Sequence, residues 1–476
     1  MQRLILSIVG LALAAPCLAQ QSVDPTNPRV QEALHLLGVW IEAQRAYEQI
    51  PGVSVAVVHD QDLLWSAGFG YADREAETPA TAETQYSICS ISKLFTSVAV
   101  MQLRDQGKLR LDDPVGRHLS WFDIQDTYPD GPPVTVQGIL THSSGLPRES
   151  DYPYWSPPDF PFPTHDELVA RLREQRELYP GATWYQYSNL GLTLAGEIVT
   201  ALSGEPYGAY ERRHILDPLG MAHTTPAIAP DDRLASGYTA MTREGRRERL
   251  PLFTPRGIAP AMGFASTVED LAKFASWQFR VLYHGANEVL GRNTLREMQR
   301  VHWLDPDWSP GRGLGFGVWR SNDKTFVGHG GSCPGYRSQL TLQVDDRLAT
   351  IFMANANGVN AGAFAQQAQQ IMAPALAAAA DTTRLDPAFA RYLGTYSELP
   401  WSGEAAVIPW KGKLAVLYLP TTDPLDALMK LEHVEGHTFR RIRDDGSLGE
   451  EIRFDVDDAG RVLRMWQHSN FSPKVR

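Results

Sequence analysis

The stretch Tyr86-Ser87-Ile88-Cys89-Ser90-Ile91-Ser92-Lys93-Leu94-Phe95-Thr96 decides how the chain is read. From Ile91 onward, apolar residues fall at Ile91, Leu94, Phe95, Val98 and Leu103, a helical spacing. Gly107 and the Asp112-Asp113-Pro114 turn punctuate its end. Ser90 and Lys93 stand three apart at the helix start, so hydroxyl and ammonium share one face within reach. The positive helix end favours an oxyanion and depresses the lysine pKa, and a partly buried lysine of lowered pKa can take the serine proton. The spacing alone is weak evidence. Ser321-Asn322-Asp323-Lys324 has it too, but in a polar turn with no helix after it.

Two further stretches give the pair a context. Tyr187-Ser188-Asn189 opens another helix after Pro180-Gly181. A nearby cation would pull its phenol down from about 10 toward the range of a general base, and Asn189 can hold a lysine or a substrate amide. Taken alone, the motif reads as a capping serine beside a core tyrosine. Val327-Gly328-His329-Gly330-Gly331-Ser332 reads as a strand whose glycines let another backbone or a ligand come close. Other familiar sites are missing from the sequence: no G-x-S-x-G elbow, no H-E-x-x-H, no paired C-x-x-C and no phosphate-binding loop occurs. His433 and His437 lie four apart on a surface strand with Glu432 and Glu435, and no metal site is expected there. No cofactor is called for.

Around these motifs the pattern alternates. Val53–Val58 and Leu63–Gly70 read as strands about the turn His59-Asp60-Gln61, as do Gln339–Val344 and Leu348–Asn355. Leu168–Leu178, Leu190–Leu202 and Ala361–Ala380 read as helices. Pro147–Pro163 packs six prolines with Tyr152, Tyr154, Trp155, Phe160 and Phe162, so it is either a loop folded over the body or a pocket wall. After Asp381-Thr382-Thr383 the chain changes to strand-like runs at Ala405–Pro409, Lys413–Leu419, Thr438–Ile442, Glu451–Val456 and Arg461–Gln467.

The composition agrees with a folded chain. Of 476 residues, 43% are hydrophobic and 21% charged, which excludes disorder throughout and leaves room for about three domains at roughly 150 residues each. The net charge of −11 and the absence of a basic run beyond Arg246-Arg247 or Arg440-Arg441 argue against nucleic acid. Met1-Gln2-Arg3, the apolar run Leu4–Ala15 and the small residues Cys17-Leu18-Ala19 read as a secretory signal peptide over 1–19. A lipoprotein signal ending at Cys17 is the competing reading, opposed by Pro16. No later segment is long and apolar enough to span a bilayer. The expected location is therefore the periplasm or the exterior, where Cys89 and Cys333 are permitted to pair; spacing does not show whether they do.

Taken together, these stretches resemble the serine β-lactamase and penicillin-recognising superfamily, in its class C, carboxylesterase and D-aminopeptidase branch. Gly138-Ile139-Leu140-Thr141-His142-Ser143-Ser144-Gly145-Leu146-Pro147, Ala261-Met262-Gly263-Phe264-Ala265-Ser266-Thr267 and Met353-Ala354-Asn355-Ala356-Asn357-Gly358 extend the likeness over residues 28–375. The tail resembles the lipocalin-like β domain appended to some of these hydrolases. The resemblance implies an α/β (α+β) fold with an antiparallel sheet flanked by helices and an all-helical subdomain, over 20–380. A linker at 381–392 and a small β-barrel-like domain at 393–476 would follow.

It also implies roles. Ser90 would be the acylated nucleophile, Lys93 its proton acceptor and Tyr187 the partner base. Asn189 would hold the lysine and the acyl amide. The N–H groups of Ser90 and Ser332 would form the oxyanion hole, with Gly331 beside them, and His329 and Asn357 would line the substrate site. Where β-lactamases proper carry Lys, this chain has His329, mostly neutral at pH 7. The expected activity is therefore hydrolysis of an ester or amide in a small-molecule or peptide substrate. The alternatives are a β-lactamase or D,D-/D-amino-acid peptidase acting on cell-wall peptides, and a non-catalytic penicillin-binding-like sensor. Cys89 reads either as a small residue behind the helix start or as a regulatory thiol. The oligomeric state is left open.

Overall fold

The computed structural model describes residues 24–308, 311–321 and 323–476. The expected signal peptide, with Cys17, lies outside the described residues, as does Asn322 of the second serine-x-x-lysine stretch.

The larger part of the chain is built on one antiparallel sheet. In chain order the strands are β1 (Gly52–His59), β2 (Asp62–Asp73), β3 (Thr78–Pro79), β4 (Tyr86–Ser87), β5 (Ala265–Ser266), β6 (Gly311–Arg312), β7 (Gly317–Ser321), β8 (Lys324–Cys333), β9 (Tyr336–Gln343) and β10 (Leu348–Ala354). Eight of them form the sheet in the order β3-β2-β1-β10-β9-β8-β7-β6, while β4 and β5 pair separately. The central strands β1 and β10 are buried along their whole length, so they read as continuous apolar runs rather than as an alternation. Alternate residues still serve opposite layers. Ala56 and its partner Ile351 face a core shared with the helices Ser92–Asp105, Asn189–Ser203 and Val268–Tyr283. Val55 and its partner Phe352 face the helices Pro28–Tyr47 and Ala361–Ala377.

Helices gather on the first face as the expected subdomain, with one correction. The helix expected over Leu168–Leu178 runs only over His165–Leu172. A capping box of Thr164 and Glu167 starts it. Beyond Leu172, tertiary pairing overrides propensity: Gln125 N–H donates to the Gln175 carbonyl at 3.0 Å and Glu177 N–H to the Gln125 carbonyl at 3.2 Å. The last helix of the body ends at Ala377 rather than Ala380.

Pro147–Pro163 is a loop folded over the body. Tyr154, Phe160 and Phe162 are buried, and the Phe162 ring stacks on Phe253 at 5.5 Å.

The tail forms a second antiparallel sheet of β11 (Gly394–Ser397), β12 (Glu404–Trp410), β13 (Lys413–Leu419), β14 (Leu428–Glu435), β15 (Thr438–Ile442), β16 (Leu448–Val456), β17 (Val462–Gln467) and β18 (Asn470–Pro473), each paired with the next. Its ends meet where Tyr396 bridges Lys474 and Thr395 N–H donates to the Arg476 carbonyl at 2.9 Å. The result is nearly a closed barrel around Tyr396, Val407, Val416, Phe439 and Phe454. The sequence reading missed β11 and β18, short edge segments with little alternation of their own.

The helix Pro28–Tyr47 lies between sheet and barrel. On the barrel side, Glu32 accepts from the N–H groups of Lys411 and Gly412 at 2.6 and 3.2 Å, and Trp40 donates its indole N–H to the Thr421 carbonyl at 2.8 Å. Ala406, Ile408, Ala415 and Leu417 of the barrel join the same apolar cluster as Leu36, Leu37 and Trp40. Among the described residues no helix is long and apolar enough to cross a membrane.

Trp40 joins the helix Ala361–Ala377 to the barrel, packing on Phe364 at 5.1 Å and donating to the Thr421 carbonyl. Trp40→Ala is expected to cost about 3–5 kcal/mol, read as a lower urea midpoint in equilibrium unfolding.

Candidate active site

Local structure first presents Ser90. β4 pairs with β5 (Tyr86 with Ser266, Ser87 with Ala265), and Ile88 N–H donates to the Phe264 carbonyl at 3.0 Å. The chain then turns through Cys89 at φ 49°, a left-handed conformation that is uncommon outside glycine. A 3-10 turn over Cys89–Ile91 leads into the helix Ser92–Asp105. Ser92 locks this corner: its hydroxyl donates to the Cys89 carbonyl at 2.6 Å and accepts from Phe264 N–H at 3.0 Å. Every residue from Thr84 to Cys89 is buried, and Ser90 is where the segment opens.

Lys93 follows three residues later and is completely buried. Its Nζ lies 3.1 Å from Ser90 Oγ, 2.8 Å from Asn189 Oδ1 and 2.7 Å from the Ala261 carbonyl oxygen. Burial holds its pKa well below the ordinary lysine value; the Glu149 carboxylate opposes this and Arg148 adds to it. The sequence reading credited the helix end. Desolvation is the larger cause.

The Tyr187 ring lies 4.9 Å from Lys93 Nζ and 4.9 Å from the Arg148 guanidinium. The expectation that a cation would pull its phenol down is corrected. Burial pushes this pKa up, and the nearby Ser90 hydroxyl and Arg148 do not offset it. At neutral pH Tyr187 is therefore a neutral phenol.

β8 forms the opposite wall. A Cβ on Gly331 would meet Ser338 Oγ at 2.1 Å and the Ile88 carbonyl at 2.2 Å, so only glycine lets this strand lie against the Ile88–Ser90 turn. Ser338 donates its hydroxyl to the Ile88 carbonyl at 2.9 Å. A disulfide between Cys89 and Cys333, their Cα atoms 5.7 Å apart, ties the residue before Ser90 to the residue after Ser332. It settles the open question about Cys89, which is not a free thiol. Asn357 stands at the strand's end, accepting from Gly335 N–H and donating to the Cys333 carbonyl, both at 2.8 Å. Its amide is engaged by backbone, so it pins the β8–β9 turn.

His329 lies between these walls, its ring 6.3 Å from Tyr187. Nδ1 is 2.6 Å from the Gly330 carbonyl, which makes Nδ1 the protonated nitrogen and leaves Nε2 an acceptor. Burial, then the nearby Lys93 charge, push its pKa down to about 3. His329 is thereby displaced toward its neutral form.

Several groups at the site were not singled out from sequence. His142, left-handed at φ 60°, accepts from Ser188 N–H at Nδ1 (3.1 Å) and packs its ring on Tyr187 at 4.2 Å. Arg148 and Glu149 follow the Gly138–Pro147 stretch directly; Asn189 donates from Nδ2 to both Glu149 oxygens at 2.9 and 3.0 Å. Arg312 lies over the Tyr185 ring at 4.5 Å. His142 and Ala261 lie inside quoted stretches and Arg148 and Glu149 directly follow one, whereas Arg312 had no such signal. Elsewhere, Lys324 of the second serine-x-x-lysine stretch pairs with Asp346, and His437 Nδ1 meets the Tyr392 hydroxyl at 2.6 Å. Among the described residues no group of three His, Cys, Asp or Glu is arranged to hold a metal.

The Gly331 contact yields a direct test. Gly331→Ala should force β8 away from the Ile88 carbonyl, costing at least about 2 kcal/mol as an overpacking change, read as a fall in thermal midpoint against wild type.

Comparison with known proteins identifies the family. The family model described as Beta-lactamase matches residues 40–373. "Beta-lactamase-like protein 2" of Dictyostelium discoideum is 24% identical over 378 residues, covering 78% of this chain and 68% of that protein. "Unguisins hydrolase ungD" of Aspergillus violaceofuscus is 29% identical over 243 residues, covering 48% of this chain and only 41% of its own length. Among solved structures, the octameric penicillin-binding protein homologue from Pyrococcus abyssi superposes with a TM-score of 0.63 at 26% identity, covering 93% of this chain and 100% of that one. With a family model spanning most of the chain and an antiparallel sheet flanked by helices beneath it, this protein belongs to the beta-lactamase family.

Proposed function

We propose that the protein is an exported serine hydrolase that cleaves an ester or amide bond of a small-molecule or peptide substrate through an acyl-enzyme on Ser90. The observation that carries this reading is the 3.1 Å approach of Ser90 Oγ to the Nζ of a fully buried lysine. A neutral amine has two hydrogens. Asn189 Oδ1 and the Ala261 carbonyl take both, so the lone pair faces the Ser90 hydroxyl.

The chemistry follows from that arrangement. As Ser90 Oγ bonds to the substrate carbonyl carbon, its proton passes to Lys93 and the carbonyl electron pair moves onto oxygen. The N–H groups of Ser90 and Ser332 receive that oxyanion, at about 3–4 kcal/mol per donor. On collapse the leaving group departs with the proton of the Tyr187 hydroxyl, which the Lys93 ammonium replaces. Water then enters by the reverse sequence and frees the acid. Tyr187 thus works as a neutral relay beside a lysine base.

His329 bears on the substrate. With Nδ1–H directed at Gly330, its Nε2 offers a lone pair, which repels a carboxylate and suits an N–H or O–H. This favours ester or amide hydrolysis over β-lactam turnover. The name of the Aspergillus relative, a hydrolase, supports hydrolytic chemistry in general. Export is supported by the Cys89–Cys333 disulfide, since such bonds persist in oxidising compartments.

Ser90→Ala is expected to abolish both labelling by a fluorophosphonate probe and hydrolysis of a short-chain nitrophenyl ester, while wild type turns over a chromogenic cephalosporin far more slowly than the ester. Activity surviving in Ser90→Ala, or a faster cephalosporin, would refute the reading. The pH profile has a required sign as well. Lys93 must be neutral to act, so kcat/KM falls as pH drops through its depressed pKa. No inflection should occur near 6.5, because His329 stays neutral. Moving the acid limb by His329→Gln would contradict this assignment.

A further inference from the structure

We propose that Glu149 is the positioning residue of the site: its carboxylate fixes which way the Asn189 amide faces and so holds Lys93 against Ser90. The inference rests on the reading of Ser90 and Lys93 given above.

The argument is one of donors and acceptors. Asn189 sits at the start of its helix with its amide between two groups. Oδ1 accepts from Lys93 Nζ at 2.8 Å, and Nδ2 donates to Glu149 Oε1 and Oε2 at 2.9 and 3.0 Å. An ionised carboxylate only accepts. Facing Glu149, the amide must therefore present its NH2, which turns Oδ1 toward the lysine. The reversed amide would set oxygen against carboxylate and NH2 against the Lys93 amine. Lys93 and Glu149 thus select the same orientation, and without Glu149 only the lysine side of that selection remains.

Glu149 is itself held. The Tyr154 hydroxyl donates to Oε2, Arg148 Nε lies 3.0 Å from Oε1, and the Glu149 carbonyl accepts from Gln175 Nε2 at 2.9 Å. Asn189 N–H donates to the Arg148 carbonyl at 2.8 Å, so the same two residues grip both the backbone and the side chain of Asn189. Tyr154 belongs to the proline-rich loop, and its buried ring packs between Trp155 and Phe162. The loop that covers the body thereby reaches the lysine through one carboxylate.

Charge makes the proposal measurable. The groups around Lys93 are Glu149 and Arg148 on the loop, Tyr187 and Asn189 at the next helix, His142 behind Tyr187 and His329 on β8. Tyr187, His142 and His329 are neutral at working pH. Glu149 favours the ammonium, and Arg148 opposes it. Removing the Glu149 charge makes the ammonium less stable, so Lys93 loses its proton at lower pH.

The test measures the rate of fluorophosphonate labelling at Ser90 against pH on the full chain, with far-UV circular dichroism as the check on folding. In Glu149→Gln the acid limb should move down by about one pH unit, and the plateau rate should fall about tenfold to a hundredfold as the amide loses its fixed orientation. Glu149→Asp restores the charge on a shorter arm, so its limb should return to the wild-type position while its plateau stays low. Tyr154→Phe leaves the carboxylate in place and should not move the limb. A folded Glu149→Gln with the wild-type limb and plateau overturns the proposal. Should that variant fail to fold, Glu149→Asp labelling at the full wild-type rate overturns it instead. A wild-type chain that the probe does not label overturns the reading of Ser90 itself, and this inference with it.

Discussion

The arrangement of the molecule turns on one costly act, the complete burial of the Lys93 amine. An ammonium taken out of water is unfavourable unless charges and acceptors surround it, and this one has two carbonyl-type oxygens, a hydroxyl and a carboxylate one residue further out. The partial compensation is informative. Enough acceptors surround Nζ to fix its place, yet desolvation still exceeds the Glu149 attraction and depresses the proton affinity. A lysine better paired would be a permanent cation and a poor base.

Holding an amine in this state requires contributions from distant parts of the chain. Ala261 comes from the short helix Ala259–Met262 before β5, Asn189 from a helix start, Glu149 from the loop after Pro147, and Ser90 from the corner after β4. The corner is clamped to β8 by the Gly331 contact with Ile88 and by the disulfide, two constraints that flank Ser332 and both precede Ser90. The sheet gives β8 its position, and Asn357 fixes the turn that ends it. The barrel takes no part in this set. Its contacts run through Glu32 and Trp40 on the far face of the sheet.

Burial also decides the neighbours. Three rings that titrate in water, Tyr187, His142 and His329, are all displaced toward their neutral forms. Fixed charge at the site is thereby left to Glu149, Arg148 and Arg312. Lysine in place of His329 would set a cation beside the Lys93 amine. The histidine instead supplies a hydrogen-bond acceptor whose tautomer is set by its own backbone.

Much of this was legible in the residues. Spacing marked Ser90 and Lys93 as sharing a face, Tyr187-Ser188-Asn189 as opening a helix, and the glycines about His329 as a strand admitting close approach. The apolar runs of β1, β9 and β10 gave the sheet, because period and length are local properties of the chain. Other features were set by contacts between residues far apart in sequence. The helix after Thr164 stops at Leu172 because Gln125 claims the backbone at Gln175. The Tyr187 phenol is raised, not lowered, because only the packed site determines how much water is excluded. Cys89 and Cys333, 244 residues apart, could be counted but not paired. Arg148 and Glu149 stood in plain view beside a recognised stretch, yet nothing in their order tells which carboxylate will meet which amide. The sequence by itself determined the kinds of groups at the site and the elements that carry them. Their protonation states and orientations came only with the tertiary structure, since desolvation and hydrogen-bond direction depend on everything that surrounds a group in space.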